Sequence, residues 1–133
     1  MSTLFNRCFV TVSDPEAALA FYRDQLGLEV RLDVPQGDYR WITVGSPDQP
    51  NVNIVLSNYL EGSESDIATI MEMLAKGALG AAHFSTDDLD GLFDKLRAAG
   101  AEILEEPTDQ PWGVRDGSVR DPSGNVVRID QIA

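Results

Sequence analysis

The stretch FVTVSDPEAALAFYRDQLGLEV, Phe9–Val30, decides the fold, because a second stretch, FSTDDLDGLFDKLRAAGAEI, Phe84–Ile103, repeats its plan. In the first, an apolar-polar alternation runs into Ser13-Asp14, either of which can cap a helix. Pro15 then suits the first helical position and Glu16 the positive end of the helix dipole. Ala18, Leu19, Tyr22 and Leu26 form the apolar stripe, and Gly27 offers a left-handed terminator. In the second, Asp87 or Asp88 caps, and Leu89, Leu92, Phe93 and Leu96 recur at i, i+3, i+4 and i+7. Lys95 and Arg97 sit late, and Gly100 terminates. From Asp14 to Gly27 and from Asp87 to Gly100 the spacing is the same, at an offset of 73 residues.

Strand-like segments surround each helix. Arg7–Val12 precedes the first; Leu28–Val34, Tyr39–Val44 and Val52–Ser57 follow it. Gly80–Ser85 precedes the second; Ala101–Glu105, Val114–Arg120 and Val126–Ile132 follow it. Turn signals separate them at Pro35–Asp38, Gly45–Asp48 and Asp121–Asn125. The pattern predicts an α+β fold of two βαβββ units whose curved sheets enclose a cleft. Residues 1–133 read as one domain, with units at about 4–58 and 80–132. Between them, at 59–79, Ile67, Ile70, Met71 and Leu74 have helical spacing, Ser65 or Asp66 can cap and Gly77 can terminate. That segment reads as a short linker helix over the core edge, or as a lid or dimer contact.

Composition narrows the partners. The chain has 133 residues, with 22 Asp and Glu against 10 Lys and Arg, a formal charge of -12. The deficit is even: four basic and ten acidic residues up to Asp66, six and twelve after it. A phosphate-binding surface needs a basic patch, so nucleic acid and anionic membrane are poor partners. No apolar run approaches the roughly 20 residues of a membrane helix. The start MSTLFNRCF lacks a basic region followed by an apolar stretch, so no signal peptide is expected. The single cysteine, Cys8, excludes an internal disulfide and a cysteine-cluster zinc site. The expectation is a soluble cytoplasmic protein.

Strand alternation predicts two faces. Cys8, Val10 and Val12, then Ile54 and Leu56, then Phe84, then Val127 and Ile129 belong under the helices. This places Cys8 as a small buried hydrophobe. The opposite face carries Arg7, Phe9 and Thr11 on the first strand, and Asn53, Val55 and Ser57 on the fourth. In the second unit it carries His83, Ser85, Arg128 and Asp130. A concave face with a few placed polar groups suits a small-molecule site.

The segments Phe9–Val30, Phe84–Asp90, Pro111-Trp112-Gly113-Val114-Arg115 and Arg120–Ile129, with its Asp-Pro-Ser-Gly turn, resemble the vicinal oxygen chelate superfamily. That superfamily includes glyoxalase I, bleomycin-resistance proteins and extradiol dioxygenases. The resemblance implies four metal-ligand positions, filled in metal-using members by His, Glu or Gln. Here they fall on Arg7, Val55, Ala81 and Arg128. None is a metal ligand, and a guanidinium keeps its proton. No cofactor is expected. The resemblance also implies a homodimer.

Two functional readings follow. In one, the protein binds a small organic molecule in the cleft, in the manner of bleomycin-resistance proteins. Phe9 and Trp41 line the wall, Asn53 and Ser85 offer hydrogen bonds, and Val55 packs. Arg7 and Arg128 offer a bidentate grip on an anionic group, whereas the net charge favours a cationic ligand. Arg115 reaches the site or pairs with Asp116 or Asp121. Trp112 packs into a hairpin corner. In the other reading the protein is an enzyme, a glyoxalase-type lyase or isomerase or an extradiol-type dioxygenase. It would use a divalent metal (Fe, Mn, Zn, Ni or Co) held by displaced ligands around His83 and Asp130. A metal-free variant would use His83, the only histidine, as acid or base.

Overall fold

A computed structural model describes all residues, Met1–Ala133. The chain divides into two compact units, Met1–Ser63 and Glu64–Ala133. The strands are β1 (Arg7–Thr11), β2 (Glu29–Gln36), β3 (Tyr39–Gly45), β4 (Asn53–Ser57), β5 (His83–Thr86), β6 (Glu102–Asp109), β7 (Arg115–Arg120) and β8 (Val126–Gln131). The helices are α1 (Pro15–Leu19), α2 (Glu64–Ala75) and α3 (Leu89–Ala98). Each unit builds one open four-stranded mixed sheet, ordered β1-β4-β3-β2 in the first and β5-β8-β7-β6 in the second. The expected α+β pair of βαβββ units is therefore present. No helix is long and apolar enough to cross a membrane.

The repeat is real, but one residue out of step. Asp14 caps α1, its carboxylate accepting from the backbone of Glu16 and Ala17. In the second unit the cap is Asp88, one of the two expected candidates; it accepts from Gly91 N–H at 3.0 Å. Both helical segments end at glycines with positive φ, Gly27 at 81° and Gly100 at 86°. The first segment is thus one residue longer. The extra residue is absorbed by a π-helical turn, Ala20–Gln25, that continues α1; the Leu26 amide reaches back to the Phe21 carbonyl at 2.9 Å. Such turns occur mostly as single-turn bulges within α-helices. Its wider winding lets the consecutive Phe21 and Tyr22 both enter the core, where their rings meet edge to face at 4.8 Å. Leu26, expected in the stripe, is only half-buried.

The helices cover the predicted apolar faces. Val10, Ile42, Val44 and Leu56 are buried in the first unit, and Leu89, Phe93, Val119 and Ile129 in the second. Cys8 corrects the expectation: it lies on the helix-side face but is exposed, because β1 is an edge strand and burial along it begins only at Val10. The edge strands run further than the turn signals implied. β2 includes Pro35 and β6 includes Pro107. A proline removes no needed donor on the outer side of an edge, and it discourages pairing with other chains.

Helix α2 occupies part of the expected 59–79 span and belongs to the second unit. Its Leu74 is buried. Its C-terminal turn lies against the β7–β8 turn, where a side chain on Gly124 (φ 112°) would stand 2.5 Å from the Leu74 carbonyl and 2.7 Å from that of Ala75. The same turn is fixed by Asp121. Its buried carboxylate accepts from the backbone of Ser123, Gly124 and Asn125 and from the Asn125 side chain.

Candidate functional site

The faces turned away from the helices differ in chemistry between the two units. In the first sheet, register sets Arg7 beside Asn53, Phe9 beside Val55, Val55 in turn beside Thr43, and Trp41 beside Ser57. Leu32 and Val34 of β2 continue the same rows. A cavity of about 480 Å³ opens at the β2–β3 end of this face, lined by Leu32, Val34, Gln36, Tyr39, Arg40, Trp41 and Tyr59.

Local bonds fix its rings. The Trp41 indole N–H donates to Thr43 Oγ1 at 2.9 Å, so the one polar atom of the ring is satisfied within its own strand. Phe9 meets the indole edge to face at 5.2 Å, and the Arg7 guanidinium lies 5.6 Å from the ring centroid. Tyr59 follows β4, and its backbone N–H donates to Ser57 Oγ. The neighbouring Asn58 accepts from the Arg40 amide at 2.8 Å and donates to the Asp38 carbonyl. These bonds tie the segment after β4 to the β2–β3 hairpin and bring Tyr59 edge to face with Tyr39 at 5.0 Å.

The only charged group lining this cavity is already neutralised. Arg40 donates two bonds to Asp33, at 2.8 and 2.7 Å, and one to Glu16. Its hydrogen bonds to Asp33 and then to Glu16 hold its pKa above the ordinary arginine value. In return the Arg40 hydrogen bonds hold the Asp33 carboxyl below its ordinary range. Among the arginines, Arg7 alone has no carboxylate within ion-pair distance.

In the second sheet the corresponding rows are charged. His83 lies beside Arg128, Ser85 beside Asp130, Asp130 beside Asp116, and Arg128 beside Ser118. Asp116 is 5% exposed. Arg128 donates to it at 3.1 Å and to Glu105 at 3.5 Å. The Gln110 amide donates to the remaining oxygens of both carboxylates, at 2.8 Å for Asp116 and 2.9 Å for Glu105. Four side chains thereby close a ring. A second cavity, of about 430 Å³, opens beside it.

The predicted residues therefore separate. Phe9, which is 57% exposed, Trp41 and Arg7 form one aromatic group. Val55 stands in their row but is fully buried. Asn53 accepts at 2.9 Å from Arg31, which also donates to the Ser46, Gln49 and Val52 carbonyls of the β3–β4 connection. His83, Arg128 and Asp130 line the second cavity, and Ser85 is the exposed neighbour of Asp130. Arg115 alternates with Asp116 and so turns to the helical side, where it pairs with Asp90 of α3 and with Asp109 rather than with Asp116 or Asp121. Trp112 does not pack in a corner: it is 71% exposed, at the rim of the second cavity.

The sequence reading missed Tyr39, Tyr59 and the β2 residues Leu32 and Val34. Tyr39 was legible as the i−2 partner of Trp41. Tyr59 was not, since its place depends on Asn58. It also missed Glu105 and Gln110, whose roles arise only from the β6–β7 pairing. The donor chemistry at the four ligand positions does not fit a divalent metal. The groups there are two guanidiniums, a buried isopropyl group and a methyl group, and nowhere are three His, Cys, Asp or Glu side chains placed so that they could hold a metal ion.

Comparison with known proteins adds to this geometry. Residues 4–129 match the family described as Glyoxalase/Bleomycin resistance protein/Dioxygenase superfamily. The crystal structure of UcmS2 is 32% identical, with a TM-score of 0.86, over 99% of this chain and 100% of that one. TnmS3, described as an antibiotic binding protein from Streptomyces sp. CB03234, is 26% identical with a TM-score of 0.73, over 99% and 98%. An ethylmalonyl-CoA/methylmalonyl-CoA epimerase of Cereibacter sphaeroides is 34% identical over 99 residues, 74% of this chain and 72% of its own.

Proposed function

This chain belongs to the glyoxalase/bleomycin resistance protein/dioxygenase superfamily, and from that premise we propose that it is a binding protein for a small, flat, largely apolar organic molecule, held against Trp41, Tyr39 and Tyr59. The observation that carries this reading is the aromatic and aliphatic lining of the 480 Å³ cavity. Such a wall offers ring faces and edges for stacking and buries a planar ligand without unpaired polar groups. The volume lies in the ordinary range for ligand pockets. The resemblance to an antibiotic-binding protein supports the class of activity.

The pairing of the arginines weighs on ligand charge. Arg40 and Arg128 are each held by two carboxylates, so neither offers an empty fork to an anion. With a formal charge of -12 on the chain, neutral and cationic ligands are favoured over anionic ones.

Three planar probes test this: anthraquinone, proflavine and anthracene-9-carboxylate, titrated against tryptophan fluorescence. The first two are expected to bind saturably and the third weakly. Replacing Trp41 by Leu removes one stacking face, worth roughly 1–3 kcal/mol per planar ring and so about 5- to 150-fold in affinity. Unchanged affinity in a folded Trp41→Leu variant refutes the site.

A second reading, a metal-free isomerase, is favoured by the 34% identity to the epimerase. It assigns proton transfer to His83, with Asp130 as its neighbour in the second cavity. Turnover of an acyl-thioester epimer that survives chelation and is lost in His83→Ala would establish it over binding alone.

A further inference from the structure

The second cavity has a chemistry that the aromatic site does not explain. Its ring of Arg128, Asp116, Gln110 and Glu105 is closed by four hydrogen bonds, so these polar groups are fixed in place before any ligand arrives. Each still has capacity to spare. A guanidinium has five donors, a carboxylate about four acceptor positions, and the Gln110 carbonyl is an acceptor while its amide nitrogen is engaged. Beside the ring, His83 and Asp130 line the cavity, and their side chains have no hydrogen-bond or ion-pair partner. At the rim stands the exposed indole of Trp112.

We infer that this cavity is a binding site for a hydroxylated ring bearing a basic amine, an aminosugar or aminocyclitol. The argument is one of matching. A vicinal hydroxyl donates and accepts at once, and so needs both kinds of partner at fixed spacing. Arg128 and Gln110 supply donors and acceptors side by side with Asp130 and His83. A flat apolar molecule would leave these groups desolvated and unpaired. A bare cation would use only the acceptors and would meet the Arg128 charge. The Trp112 ring supplies the apolar platform that the C–H face of a saturated ring needs. Three carboxylates against one guanidinium set the sign of the substituent: an ammonium is favoured and a carboxylate is repelled. An ammonium near the indole face gains further attraction.

The site shares no lining residue with the aromatic cavity, and its test reads a different residue. The chain has two tryptophans, Trp41 and Trp112. Protein labelled with 5-fluorotryptophan therefore gives two ¹⁹F lines, assigned by Trp41→Phe and Trp112→Phe. At constant ionic strength, D-glucosamine is expected to move the Trp112 line saturably and leave the Trp41 line in place. D-glucose should bind several-fold more weakly, and D-glucuronate should leave the line unmoved. In Asp130→Asn the glucosamine response should weaken about tenfold. Trp41→Leu should leave it intact, so failure of the aromatic site and failure of this one are told apart. No Trp112 shift with glucosamine overturns the assignment, as does an equal shift with tetramethylammonium. A response to glucose as strong as that to glucosamine overturns the role of the amine.

Discussion

Replacing Arg128 by Met asks whether this arginine holds the fold or waits for a ligand. Methionine keeps much of the length and removes the charge. The structure sets the size of the effect. The Asp116 side chain is 7% exposed and Arg128 is its nearest cation, at 3.1 Å. Removing one partner of a fully buried ion pair costs roughly 3–5 kcal/mol, because the other charge is left uncompensated. The Arg128 side chain, however, is 34% exposed, so solvent screens part of the attraction. Glu105 is 40% exposed and adds little. Asp116 also keeps the bond from Gln110. A loss of about 1–3 kcal/mol remains, measured as a lower urea midpoint by far-ultraviolet circular dichroism. The double variant Arg128→Met/Asp116→Asn separates the cause, since its asparagine still accepts from Gln110 and leaves no buried charge. It should recover most of the loss, giving a coupling energy of roughly 1–2 kcal/mol. Full stability in Arg128→Met alone, or strictly additive effects, would refute the claim that Arg128 is the counter-ion of a buried carboxylate.

Three further outcomes follow from other parts of the molecule. Gly124→Ala adds a side chain at φ 112° and within 2.7 Å of two α2 carbonyls; a loss of about 2–5 kcal/mol is expected, with faster amide exchange at the end of α2. Asp33, held below its ordinary pKa by Arg40, binds protons more weakly folded than unfolded. The stability it contributes is present above the unfolded pKa and disappears as pH falls from about 4 through the folded value. The urea midpoint of Asp33→Asn should therefore fall less steeply below about pH 4 than that of the parent, and parallel curves would contradict it. Asn58→Ala removes the bonds to Arg40 and Asp38 that set Tyr59 against Tyr39; it should weaken proflavine binding several-fold while Trp41 remains in place, read by fluorescence titration.

Much of the fold was legible because it rests on local rules. Asp14-Pro15, Gly27 and Gly100 announce their helix ends through capping and backbone chemistry that neighbouring residues decide. Alternation placed Val10, Leu56 and Ile129 on the helical side and Phe9, His83 and Arg128 on the other, since side chains in a strand alternate with a period of two. The sequence left the second cap open between Asp87 and Asp88, and the structure decides it for Asp88, with the extra residue of the first segment taken up in a π-helical turn. Burial was read least well at edges. Cys8 and Trp112 look like buried residues by type, but whether anything covers them depends on neighbours remote in sequence.

For the site, sequence alone determined which residues share a face, and the resemblance pointed to four ligand positions whose residues here are Arg7, Val55, Ala81 and Arg128. It could not determine which of those residues are available. Arg7, Arg115 and Arg128 are chemically equivalent in the sequence. Tertiary structure made them different: Arg7 lies over Trp41, Arg115 pairs with Asp90 on the helical side, and Arg128 closes a ring with Asp116, Gln110 and Glu105. The physical reason is that a charged side chain's role is set by the partner it finds, and strand pairing chooses that partner. The same pairing gave two units of one topology two unlike surfaces, one aromatic and one charged.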